Sequence, residues 1–146
     1  VMGYLRCARE VAPLMTEQGW GRIINISGMA SRNTGTVIGS MRNVAVTAMT
    51  KNLAAELGTH GINVTVIHPG MTRTEATEGV IANRAASEGI SEAEVEQKLA
   101  QGNLSATIID AADIAYVVTM LASPLSIAIN GDGIAAGGGV GTAIYY

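Results

Sequence analysis

An α/β fold built on an open, parallel sheet is predicted by three features of this 146-residue sequence. Helical patterns and short apolar runs alternate in the order helix, strand, helix, strand, helix, strand. At this spacing that order calls for crossover helices between parallel strands. The first two strand candidates are apolar on both faces, as strands inside a parallel sheet are. Small, glycine-rich segments follow the strands, where such sheets keep their ligand crevice.

Taken in order, Leu5, Ala8, Ala12 and Met15 recur at helical spacing, and a first helix is read over residues 2–17. Pro13 is expected to kink or loosen its last turn, and Gln18-Gly19-Trp20-Gly21 to stop it. Arg22-Ile23-Ile24-Asn25-Ile26-Ser27 is the first strand, and Gly28 to Thr36 a loop of small and polar residues. A second helix spans 40–57 with Ser40 as its expected cap. It carries two apolar stripes: Val46, Met49, Leu53 and Leu57 on one side, and Met41, Ala45, Ala48 and Ala55 on another. Two stripes mean two neighbours, such as the sheet and a partner helix. Ile62 to Ile67 is the second strand, stopping at His68-Pro69-Gly70. Residues 71–103 read as polar and loose, with one helix signal in the capping box Ser91-Glu92-Ala93-Glu94, opening a short helix to about Gln101. Asp110 caps a further helix with the stripe Ile114, Val117, Val118 and Leu121. After the Asn130-Gly131 turn, Asp132 to Ala136 is a third strand, followed by Gly137-Gly138-Gly139.

Composition narrows the function classes. Hydrophobic residues make up 48% and charged residues 14%, which suits a buried core and excludes a disordered polyelectrolyte. The formal net charge of -3 lacks the basic surplus of a nucleic-acid binder. The single cysteine, Cys7, forms no internal disulfide and calls for no oxidising compartment. No apolar run reaches the roughly 18 residues of a membrane helix. The opening Val1-Met2-Gly3 leads straight into a helical pattern, which is the expectation for a fragment rather than for a signal peptide.

The series Gly21-Arg22-Ile23-Ile24-Asn25-Ile26-Ser27, then Thr50-Lys51-Asn52-Leu53-Ala54-Ala55-Glu56-Leu57, Gly61-Ile62-Asn63-Val64, and Pro69-Gly70 with Thr74, resembles the second half of a short-chain dehydrogenase/reductase. The closing Ala122-Ser123-Pro124 and Asn130-Gly131-Asp132-Gly133 segments are similar to the end of that family. The resemblance runs over essentially the whole chain. It implies the C-terminal part of a single Rossmann-type domain, a doubly wound parallel sheet, with 75–103 as a substrate lid. It further implies an NAD- or NADP-linked oxidoreductase of a small carbonyl/alcohol pair, cytoplasmic, and a homodimer or homotetramer joined through helices 2–17 and 40–57. Neither a nucleic acid nor a membrane is expected as partner, and no metal.

Two of the family's features have no counterpart in these residues. The Gly-rich phosphate loop that belongs on the first strand does not occur, and the glycines at 137–139 sit at the other end of the fold. The family's catalytic Ser, Tyr and Lys positions fall on Gly28, Gly39 and Asn43, anchored on Thr50-Lys51-Asn52-Leu53. None keeps its chemistry, and a general acid/base alone is typically worth about 10²–10⁴-fold. Ser27, one residue from the Ser position, and His68, at a strand's carboxyl end, are weak replacements. A strand shift of one residue aims a side chain to the opposite face, and His68 before Pro-Gly reads first as a turn residue. Arg42 reads as a surface residue, one helical step from Asn43. The cofactor-binding positions that the resemblance implies are Asn25, Ile26, Pro69, Gly70, Thr72 and Thr74. The alternative is a catalytically silent protein of the same fold, serving as a ligand-binding or partner subunit.

Overall fold

The computed structural model describes residues 1–142 and 144. Helix α1 (Met2–Gln18) leads into β1 (Gly21–Ile26), α2 (Val37–Leu57) and β2 (Ile62–Pro69). The short β3 (Thr72–Arg73), α3 (Thr77–Glu88), α4 (Glu92–Ala100) and the short β4 (Ile109–Asp110) come next. Helix α5 (Ala111–Ala122) and β5 (Gly133–Ala136) complete the order. The main sheet is β1-β2-β5, parallel throughout, with Gly21 opposite Ile62 and Val66 opposite Gly133. The predicted three-stranded parallel sheet is therefore the observed one.

The centre of the sheet is β2, whose residues Ile62 to His68 are all buried. Ile62 and Val64 pack with Ala54 and Leu57 of α2, with Ala12 and Met15 of α1, and with Ile23 and Leu53. Burying side chains of this size stabilises by about 1.5–3 kcal/mol each relative to exposure. Asn63 closes the far end of the sheet. Its amide donates to the carbonyls of Ser126, Ile127 and Ile129, while Asn130 Oδ1 accepts the Val64 N–H at 2.8 Å. The Asn130-Gly131 turn is thus bolted to β2 rather than standing free.

Four local expectations are corrected. Helix α1 runs through Pro13 to Gln18 without breaking, because Met15 is held in the core directly over Gly21, where a Cβ would meet the thioether. Gly19 then closes it in the left-handed conformation, and the Trp20 N–H returns to the Met15 carbonyl. Helix α2 begins three residues before Ser40, because the Thr36 hydroxyl captures the Gly39 N–H at 3.1 Å and caps the helix there. His68 is a buried member of β2, not a turn residue, since the ladder to β5 continues through Pro69. The segment read as loose contains a full helix, α3, which pairs with α4 around Ile81, Ala85 and Val95, with Ile90 and Leu99 at the margin. The α4 capping box itself is present, with Ser91 and Glu94 exchanging hydrogen bonds.

Gly61 is the clearest backbone requirement. Its φ is +77°, and a Cβ there would lie 2.2 Å from the Gly19 carbonyl oxygen, so the two helix exits meet at this glycine. Among the described residues, no helix is long and apolar enough to cross a membrane.

Candidate functional site

Parallel pairing brings the carboxyl ends of β1, β2 and β5 to one edge of the sheet. Three segments meet there: the turn 28–33, the Pro69-Gly70 corner and the glycine turn after β5. Gly70 and Gly137 touch backbone to backbone, and a Cβ on either would fall 2.9 Å from the other's Cα. The glycine turn continues onto the end of the lid, where Leu104 and Ser105 N–H groups donate to the carbonyls of Gly139 and Gly138 at 3.3 and 3.1 Å. Residues 137–139 therefore join the carboxyl edge of the sheet to the segment after α4. The lid's other root is the β3–β4 pair, where Arg73 bonds Glu96 of α4 and stands 3.6 Å from Asp110.

The aligned positions 28 and 43 come together in space. A Cβ on Gly28 would sit 3.1 Å from the Asn43 amide nitrogen. Asn43 is buried, and the exposed Arg42 donates to its Oδ1 at 3.3 Å. Gly39 lies in the first turn of α2, with its N–H on Thr36, and a Cβ there would come within 2.8 Å of the Thr36 hydroxyl.

The proposed cofactor positions separate into two groups. Pro69, Gly70, Thr72 and Thr74 line the corner after β2. Thr72 Oγ1 donates back to the Gly70 carbonyl at 3.2 Å, and the Thr74 and Thr77 hydroxyls stand 3.4 Å apart. These are long, replaceable contacts. Asn25 instead turns into the protein, where its amide donates to the Thr50 hydroxyl of α2 at 2.9 Å. Ile26 has its carbonyl taken by the Tyr4 hydroxyl at 2.6 Å.

Ser27 and His68 each carry a buried polar atom without a hydrogen-bond partner, Oγ and Nε2 respectively. The His68 Nδ1 lies 3.1 Å from the Ser31 hydroxyl. Burial holds the His68 pKa below its ordinary value of 6.5, and the Arg32 guanidinium adds to that, against an opposing hydrogen bond with the Gly28 carbonyl. Arg32 in turn donates to the Gly133 carbonyl at 2.7 Å. Ser31, Arg32 and Gly133 are the residues that sequence reasoning passed over. They lie in loops or at a strand start, where no periodicity marks a role.

The profile of the family described as enoyl-(acyl carrier protein) reductase matches residues 1–141. The short-chain reductase protein NovJ of Streptomyces niveus is 32% identical over 138 residues, which cover 94% of this chain and 51% of that protein. Among solved structures, YwfH, an NADPH-dependent reductase involved in bacilysin biosynthesis, superposes with a TM-score of 0.88 at 28% identity, covering 98% of this chain and 56% of that one. A 3-oxoacyl-[acyl-carrier protein] reductase with bound NAD from Brucella melitensis gives a TM-score of 0.79 at 26% identity over 98% and 49% of the two chains. The chain spans about half the length of the curated relatives it matches.

Proposed function

Because the chain belongs to the short-chain dehydrogenase/reductase family, we propose that it supplies the nicotinamide-side half of a cytoplasmic, NAD- or NADP-linked oxidoreductase acting on a small carbonyl/alcohol pair. The observation that carries this reading is the corner Pro69-Gly70-Met71-Thr72, closed against Gly137 by backbone contact. A carboxamide needs one donor and one acceptor, and this corner offers main-chain groups together with the hydroxyls of Thr72 and Thr74. Their present partners, at 3.2 and 3.4 Å, give way at little cost. The donor set therefore fits the nicotinamide end of the cofactor. When bound, that group supplies or accepts the hydride. Of the two β1 positions, Asn25 keeps the strand end fixed on α2, while the Ile26 carbonyl is already held by the Tyr4 hydroxyl. Residues 75–103, which carry α3 and α4, would serve as the substrate lid of this crevice.

The acid/base part is different. Gly28 and Gly39 have no side chain to move a proton, and Asn43 carries no charge to hold a ribose or to lower a neighbour's pKa. The cation in that corner is Arg42, held on Asn43. This favours a second reading, a subunit of the same fold that binds nucleotide or a partner but transfers hydride slowly or not at all. Restoring Gly28→Ser, Gly39→Tyr and Asn43→Lys together in the intact protein separates the two. The changes are coupled sterically: a side chain at 28 crowds Asn43, and one at 39 displaces the Thr36 hydroxyl. Single changes are therefore expected to do little, and the triple change to raise turnover over a broad carbonyl panel. A triple variant no faster than its parent would mean either that the alignment is wrong or that the pocket no longer admits a carbonyl substrate. The 146-residue chain alone is expected to bind NADH and NADPH more weakly than micromolar by fluorescence titration, since no phosphate-binding glycine loop stands on its strands.

The assembly reading is a homodimer or homotetramer joined through 2–17 and 40–57. Its support is the outward face of α2, where Met41 is 64% and Val44 50% exposed beside the exposed Ala48. A two-fold axis would set the same patch against itself. Ala48→Arg is expected to shift the species measured by light scattering to monomer. A monomer already present at tens of micromolar, unchanged by that substitution, overturns it.

A further inference from the structure

We infer that His68 is a positioning residue whose neutral Nδ1–H tautomer clamps the turn 28–33 onto the end of β2, and that protonation of the ring releases this turn from the crevice.

The clamp rests on three contacts. The Ser31 hydroxyl donates to the Gly28 carbonyl at 3.0 Å. Its lone pairs then face His68 Nδ1 at 3.1 Å, so the ring nitrogen must be the donor. Arg32, the next residue, crosses to the Gly133 carbonyl at 2.7 Å. One short turn is thus tied to both β2 and β5, through neighbouring residues.

The other ring nitrogen explains the sensitivity. Nε2 is buried and has no hydrogen-bond partner among the described residues. It points at Gly133, where a Cβ would come within 2.7 Å, and where the Arg32 guanidinium stands close by. A second proton would therefore enter a site with no acceptor and beside a cation. Arg32 is the charged group acting on the ring from the turn. From the other elements, Ser27 follows the end of β1, β5 offers Gly133 and Ala135, and α2 presents the uncharged Asn43 and Thr50 toward the sheet. The Lys51–Asp132 pair, 3.9 Å apart, stands on the approach to β5. No carboxylate from these elements acts on the ring to compensate the charge. The imidazolium keeps its Nδ1–H, so protonation acts on the turn through Arg32: this residue rides on the same turn, and withdrawal of the turn carries its guanidinium away from the charged ring.

The turn carries Gly28, the position facing Asn43, so its release would open the floor of the crevice. That consequence rests on the nicotinamide reading, but the clamp does not, and its test needs no nucleotide. Nitrogen-detected NMR of the imidazole at pH 7.5 is expected to show the Nδ1–H tautomer for His68, with the exposed His60 as the reference resonance. The midpoint for His68 is expected below 6.5. The amides of Ser31, Arg32 and Asn33, bonded to the Gly28 and Met29 carbonyls, report the turn. Their protection factors are expected to fall severalfold between pH 7.5 and pH 5 as the ring takes up its second proton. Ser31→Ala should lower them at pH 7.5 while the β1–β2 amides stay protected. His68→Asn, which keeps a donor in place of Nδ1–H but cannot titrate, should leave the turn protected at both pH values. If His68→Asn fails to fold, the unmodified chain and Ser31→Ala decide the matter. An Nε2–H tautomer, a midpoint at or above 6.5, or turn protection indifferent to Ser31→Ala overturns the inference.

Discussion

The body of the sheet and the α3–α4 lid are held together by different physics. In β2, Ile62, Val64, Val66 and Ile67 are completely buried, and helices from both sides of the chain order pack on them. The lid has a small core of its own, Ile81, Ala85 and Val95, and reaches the body through Arg73 with Glu96 and Asp110. Its surface adds Glu88 with Arg84 and with Lys98 at 3.0 Å. Burial of apolar area is strong and non-directional, whereas exposed ion pairs contribute little and weaken with salt. The contrast distinguishes a sheet body held by apolar burial from an α3–α4 pair joined to it by exposed ion pairs.

The largest expected effect tests the body. Ile62→Ala removes a fully buried side chain and should cost about 2–5 kcal/mol in urea unfolding, with every probe shifting together. A loss confined to one region would break the distinction. Val95→Ala removes the centre of the lid core and should cost about 1–3 kcal/mol, read as faster hydrogen exchange over α3 and α4 while β1 and β2 keep their protection. Equal loss across the sheet would make lid and body one cooperative unit. Ser91→Ala deletes the hydroxyl that accepts the Glu94 N–H and should lower the stability of α4 by about 1 kcal/mol. Limited proteolysis near residues 89–92 is the measurement.

The smallest effect separates the regions by pH. Glu94 is held below the usual carboxylate range by the Ser91 hydroxyl and backbone N–H, and Glu88 by Arg84 and Lys98. Their contribution is complete above that range and is lost only as pH falls through the depressed values. His68 is depressed from 6.5, so its unfolded form takes up a proton first, and the stability it supports begins to fall as pH drops below 6.5. Exchange mapped from pH 7.5 downward should therefore loosen the strand-end turn before the lid. Simultaneous loosening, or a lid that yields first, contradicts the assignment.

The positions aligned with the family's catalytic set follow the same division between what local sequence carries and what it does not. Alignment on Thr50-Lys51-Asn52-Leu53 places Gly28 and Asn43 far apart in the chain, and the fold sets them side by side. The β-branched runs of β1 and β2, the Asn130-Gly131 turn and the Ser91–Glu94 box were legible because each is a local pattern with a local physical cause. Helix α3 was not, since Ile81 and Ala85 make too thin a stripe to stand out from polar neighbours, and only Val95 and Leu99 of α4 complete its buried face.

By itself, the sequence determined the alternation of helices and strands, their parallel order and the family, all properties of patterns a few residues long. Only the tertiary structure decided that Pro13 is tolerated and that His68 is buried. Those outcomes depend on partners distant in sequence: Met15 lies over Gly21 beside the Ile62 cluster, and Ser31 and Gly133 enclose an imidazole 37 and 65 residues from them. Contacts of that kind exist only after the chain has closed on itself, so no window along it can display them.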